Sequence, residues 1–151
     1  MRTTSIAFCS ILLLACGSDS PSETTQIISA SEGATIDVAN ATIEIPANAV
    51  AQDTEVTVTV GSVADYEPLD NARDVVIEFE PFVVLEASAS ITIDVGSPAP
   101  AENEFAFLSQ FIDGVWIGVD SSTVIDSDGN VQSAINRLAP TAVVVSLPDA
   151  S

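Results

Sequence analysis

From residue 33 onward the chain repeats one device: short runs in which apolar and polar residues alternate, separated by turn formers. Residues 54–60, Thr-Glu-Val-Thr-Val-Thr-Val, place Val56, Val58 and Val60 on one face and Glu55, Thr57 and Thr59 on the other, the period of a half-buried strand. Residues 89–95 do the same, with Ile91, Ile93 and Val95 inward and Thr92 and Asp94 toward water. Similar runs at 35–38, 42–45, 74–79, 104–111, 115–119, 131–135 and 141–147 bring the expected number of strands to about nine. Pro46-Ala47-Asn48, Pro98-Ala99-Pro100, Asp113-Gly114 and Asp128-Gly129-Asn130 punctuate them. No segment sustains a 3.6-residue period; the best helical candidate is a single turn at 47–51.

Many short strands, each with one apolar face, pack most economically as two antiparallel sheets face to face, so the pattern predicts an all-β sandwich, with a closed barrel as the alternative. A domain of about 120 residues buries well over half the surface of its unfolded chain, enough for a core without covalent staples. Phe79, Phe82, Phe105, Phe107, Phe111 and Trp116 are the bulky candidates to fill it. Val115 and Ile117 face opposite to Trp116, and the indole is expected inward. Tyr66, in the 65–71 loop region, is the expected exposed aromatic.

The first residues read differently. Arg2, an apolar stretch over 6–14 and Leu13-Leu14-Ala15-Cys16 have the three parts of an export leader, and about nine apolar residues fall short of the roughly 20 a membrane-spanning helix needs. The last four resemble a bacterial lipobox, which implies cleavage after Ala15 and acylation of Cys16; plain secretion with an ordinary thiol is the alternative. Two or three acyl chains, at about 0.8 kcal/mol per buried methylene, make a lasting anchor where one chain holds marginally. Gly17 rather than Asp after the Cys, by resemblance to enterobacterial lipoproteins, favours the outer membrane over the inner one. Residues 17–26 turn to Ser, Asp, Pro, Glu and Thr without apolar pattern. The expected organisation is therefore leader 1–15, lipidated Cys and tether 16–27, sandwich 28–148 and tail 149–151. A coil of about ten residues holds a domain on the order of 17 Å from its anchor.

Composition removes several chemistries. Cys9 leaves with the leader and Cys16 becomes the acylated terminus, so no disulfide forms; there is no His, and all three basic residues are Arg. His-based acid–base catalysis, Cys/His zinc sites and a lysine phosphate loop are excluded. The full chain carries −19, and loss of Arg2 leaves Arg73 and Arg137 against 22 carboxylates, a mature charge of −20. Such a surface repels nucleic acid and anionic headgroups. The acids are scattered singly, as for a solvated surface; adaptation to a salty medium and weak divalent-cation binding are the sharper alternatives.

Residues 33–58 bring a family into view. Gly33-Ala34-Thr35-Ile36, then Ala41-Thr42-Ile43-Glu44-Ile45-Pro46-Ala47-Asn48-Ala49-Val50 and Asp53-Thr54-Glu55-Val56-Thr57-Val58, resemble the opening of the ZU-five domain of zonula occludens proteins, netrin receptors and ankyrins, which has relatives in bacterial lipoproteins. Val75 to Pro81, Gly114-Val115-Trp116 and Gly129 to Val145 fit its later strands more loosely, so the likeness spans about residues 32–146. Asn48 stands for the usual Gly, and Arg137-Leu138-Ala139 where bacterial members often show His-Phe-Ser. The resemblance implies a β-sandwich that acts as an interaction or scaffolding module without enzymatic activity; its motifs are structural, so it assigns no functional residue.

Two local features invite chemistry. Asp126-Ser127-Asp128-Gly129-Asn130 spaces oxygen ligands closely, and Asp126, Asp128 and Asn130 are the candidate ligands for a weakly held Ca2+, although the ligand order and distant Glu of an EF-hand are missing and a hairpin turn explains the run more simply. Glu78 and Glu80 share one strand face, a spacing compatible with a glycosidase pair, but any acidic sheet meets that spacing. The expectation is a non-catalytic, lipid-anchored envelope module without a required cofactor, whose partner is an envelope protein or glycan. A calcium-dependent adhesion module and a carboxylate-based polysaccharide hydrolase are the alternatives.

Overall fold

The computed structural model describes residues 22–96, 104–119 and 123–146. The leader, Ala15, Cys16 and the 149–151 tail lie outside the described residues. Eleven strands follow in order: β1 (Glu23–Ile28), β2 (Ala34–Val38), β3 (Ala41–Ile45), β4 (Thr54–Gly61), β5 (Ala72–Glu80), β6 (Val83–Ile93), β7 (Phe105–Ile112), β8 (Val115–Gly118), β9 (Val124–Ile125), β10 (Val131–Leu138) and β11 (Thr141–Ser146). A 3-10 turn at Val63–Asp65 interrupts them between β4 and β5. Among the described residues no helix is long and apolar enough to cross a membrane.

The strands form two antiparallel sheets, one of six in the order β1-β4-β5-β11-β7-β8 and one of five in the order β2-β3-β6-β10-β9, packed as a sandwich. Alternation sets the packing as expected: Val56, Val58, Ile36, Ile43, Ile91 and Ile93 are fully buried between the sheets. β-Branched side chains suit this pleated interior because they lose little rotamer freedom there.

The segment after β3 is fixed from several directions. Asn48 adopts φ 61, the left-handed conformation its short polar side chain tolerates. Its N–H donates to Ala30 O at 2.8 Å, the Ala49 carbonyl accepts from Glu86 N at 2.8 Å, and the Asp53 carboxylate accepts from Ala30 N at 2.9 Å. Gly33 is indispensable here: at φ +79, a Cβ would stand 2.1 Å from Ile45 O.

Several expectations need correction. β1 begins at Glu23, so residues 23–27 belong to the sandwich and not to the tether. The polar run Glu-Thr-Thr-Gln hides a strand because an edge strand pairs through its backbone, here in full register with β4. β6 starts at Val83 instead of residue 89, its alternation broken by the irregular pairing with β10 between Ile135 and Arg137. Three aromatics expected in the core are exposed: Phe82 by 53%, Phe105 by 65% and Phe107 by 39%. On β7 the inward positions are Leu108, fully buried, and Gln110, which bonds to the opposite sheet, so the alternating phenylalanines point away from the core. Trp116 also faces outward, because it pairs directly with Phe111 across the β7–β8 ladder, and directly paired residues share a face. Phe79 is buried as expected.

Candidate functional site

On the outer face of the six-stranded sheet, Tyr66, Phe111 and Trp116 form a mutually packed aromatic triad. The register brings Phe111 and Trp116 together, and the 62–71 segment carries Tyr66 over them. Ring centroids are 5.0 Å apart for Tyr66–Phe111, 5.4 Å for Tyr66–Trp116 and 5.2 Å for Phe111–Trp116, with the edge-on or tilted geometry that aromatic quadrupoles prefer. Trp116 Nε1 donates to Glu67 O at 2.9 Å, and Asn71 O accepts from Val145 N at 3.0 Å. The returning segment explains why Val76, Ala142 and Val144 are buried although they lie on a face that no second sheet covers.

Tyr66, expected to be exposed, is therefore half-buried and occupied. Its hydroxyl donates to Glu78 Oε1 at 2.6 Å. Burial, then this bond and the Glu78 charge, push the phenol well above its ordinary range. Glu78 comes close because β4 ends in glycine at this level: a Cβ on Gly61 would lie 2.8 Å from Glu78 Oε1.

Glu78 and Glu80 do share this face, as their spacing predicts, and with Thr57, Thr59, Tyr66 and Pro140 they line a depression of about 200 Å³. The arrangement ties Glu78 to a phenol and leaves Glu80 exposed. A hydrolase would need one carboxyl held protonated beside a sugar-gripping groove. Tyr66, the aromatic nearest the pair, instead packs with Phe111 and Trp116.

The 126–130 loop is the hairpin turn between β9 and β10. Asp126 is its organising residue: Oδ1 accepts from Asp128 N at 2.8 Å and Asn130 N at 2.9 Å, and Oδ2 from Asn130 Nδ2 at 2.9 Å. The Asn130 side-chain bond, followed by its backbone bond, holds the Asp126 carboxyl below the ordinary carboxylate range. Gly129, at φ 86, closes the turn. The candidate ligands Asp126 and Asn130 are thus bonded to one another. Among the described residues, no group of three or more acidic, His or Cys side chains is placed to hold a metal ion.

The site that sequence reasoning missed lies where β7 and β8 overhang the smaller sheet. A cleft of about 270 Å³ opens there, its walls including Gln110, Ile112, Ile117 and Val119 on one side and Asn136 and Arg137 on the other. Gln110 looked like any strand residue in the sequence, but it is 4% exposed, and a buried amide on an inward strand position is the signal that marks such a place.

No protein-family model matches this chain, and no curated protein matches it.

Proposed function

We propose that the protein is a lipid-anchored β-sandwich of the cell envelope, held at the outer membrane through acyl chains on Cys16, and that it works as a non-catalytic binding module for an envelope protein. The lipobox pattern supports the anchor. The strand directions support the geometry: Ser22 O accepts from Val60 N beside Glu23, at the Gly61 end of β4, and the same end of the sheet carries the start of β5, the end of β11 and the start of β7. Six residues separate Cys16 from Glu23, so the seven steps between them span at most about 25 Å, a short reach that supports this end as the one nearer the membrane.

The observation that carries the binding role is the exposure of Phe105 and Phe107, 65% and 39%, on the outer face of β7 at that end, the strand face that also bears Phe111 of the aromatic triad. Water-exposed aromatics in adjacent outward positions of one strand mark a surface that gains by being covered. Exposed Glu67 and Asp70 flank it, which suits a partner with an apolar contact rimmed by cations. Cross-linking in intact cells, followed by mild-detergent pull-down, tests the reading. A stable envelope partner is expected with the wild-type chain and a severalfold lower recovery with Phe105→Ser/Phe107→Ser. Recovery of no partner above background, or equal recovery with the double variant, overturns it.

A further inference from the structure

We propose that the cleft between β7–β8 and β10 is a binding site for a small apolar carboxylate that carries an N–H donor beside its acid group, the chemistry of an apolar amino-acid residue with a free carboxyl end. This site is separate from the aromatic surface and does not depend on the lipid anchor.

Gln110 supplies the first half of the argument. Its Nε2 donates to Arg137 O at 2.9 Å and to Thr141 Oγ1 at 3.2 Å. A peptide carbonyl can only accept, so the amide nitrogen is fixed on that side. The Thr141 hydroxyl in turn spends its proton on Ala139 O at 2.8 Å. The amide oxygen of Gln110 makes no hydrogen bond among the described residues, and it is not a sealed atom of the core: it is open to water on a side chain that lines the cleft. A ligand that enters the cleft displaces the water such an acceptor would bind, which favours one that brings a donor of its own.

Arg137 supplies the second half. In a chain with 22 carboxylates it has no ion-pair partner among the described residues, and the irregularity between Ile135 and Arg137 shifts it out of the regular alternation of β10. Bulges of this kind re-aim side chains beside binding sites. A guanidinium prefers a planar, bidentate acceptor such as a carboxylate. Ile112, Ile117 and Val119 complete the cleft with hydrocarbon.

These three demands select among anions. Phosphate offers no apolar group for the isoleucines, and at neutral pH it sets mainly acceptor oxygens against the Gln110 acceptor. A charge of −20 on the mature chain also opposes a multiply charged ligand more than a monoanion. At about 270 Å³ the cleft is at the small end of ligand sites and accommodates one residue-sized group.

The test is a two-dimensional amide NMR titration of the full mature chain in detergent micelles. N-acetyl-leucine is expected to give saturable shifts of the Gln110 side-chain amide and of the Ile117 and Val119 backbone amides in the millimolar range. N-acetyl-leucinamide, lacking the carboxylate, and 4-methylpentanoate, lacking the donor, are expected to bind at least about tenfold more weakly, and inorganic phosphate to leave these signals unmoved. Arg137→Gln is expected to weaken N-acetyl-leucine by about tenfold with a folded spectrum retained, and Arg137→Lys to recover part of the loss. Tighter binding of free leucine than of N-acetyl-leucine supports a free amino acid as the ligand; the reverse order supports a peptide terminus. Absence of saturable shifts, equal binding of the amide, equal binding of 4-methylpentanoate, or an unaltered affinity in a folded Arg137→Gln protein overturns the proposal.

Discussion

Tyr66 donates its hydroxyl to Glu78 Oε1 at 2.6 Å, joining the loop after β4 to the outer face of β5 across twelve residues of sequence. This bond and the ring contacts with Phe111 and Trp116 fasten the 62–71 segment to the sheet. Tyr66→Phe keeps the ring and loses the bond, and is expected to destabilise the domain by about 1 kcal/mol, because the freed, half-buried Glu78 carboxylate is rehydrated. Tyr66→Ala removes the packing as well and is expected to cost about 3 kcal/mol. Urea denaturation of the two variants beside wild type reads both values.

The same hydroxyl sets the alkaline limit of stability. A phenol whose folded pKa lies above its ordinary 10.0 favours the folded state fully below that pH, and the advantage is lost as pH rises, because the unfolded chain then ionises first. The chain has one Tyr and no Lys, so few other groups titrate in this range. The melting temperature is expected to fall above pH 10 in wild type, and the fall to be much reduced in Tyr66→Phe. Absorbance at the phenolate band is expected to give one transition, displaced upward from 10.

Asp126 acts at the other end of the scale. Its carboxyl is held below the ordinary 3.8, chiefly by Asn130, so its contribution is present above that pH and disappears as pH falls through the lowered folded value. Asp126→Ala is expected to flatten the acid limb of stability and to speed amide exchange in the β9–β10 hairpin, as hydrogen-exchange measurements will show. Millimolar calcium is expected to leave the wild-type melting temperature unchanged, because the loop's own donors already engage both Asp126 oxygens.

Gly33→Ala is the sharpest backbone test. The added carbon meets Ile45 O at 2.1 Å and Pro46 C at 2.7 Å, both backbone atoms, at a φ of +79. A loss of about 3 kcal/mol or more is expected, measured by thermal and chemical unfolding.

How far the sequence could be read depended on what each residue's environment required. The runs at 54–60 and 89–95 announced their strands and their buried faces, since a period of two with valine and isoleucine admits one reading. Asn48 was legible too, because few residues other than Gly accept the left-handed conformation. β1 was not, for its residues are polar and its place depends on backbone pairing with β4. On β7, Phe-Ala-Phe-Leu-Ser-Gln-Phe-Ile alternates clearly, yet alternation does not say which face is inward. Hydrophobicity favours the phenylalanines, and the sandwich chose Leu108 and Gln110.

By itself, then, the sequence determined the strands, their apolar faces, the turns between them and the acidic character of a chain without His or Lys, all properties set by local geometry and side-chain chemistry. Tertiary structure alone decided the pairing order of the two sheets, the outward stance of Phe105, Phe107 and Trp116, the Tyr66–Glu78 bond and the meeting of Gln110 with Arg137. Gln110 and Arg137 stand 27 residues apart on different sheets, and nothing local to either records the other. Their contact exists because two twisted sheets of unequal size, closed against each other, leave one edge open.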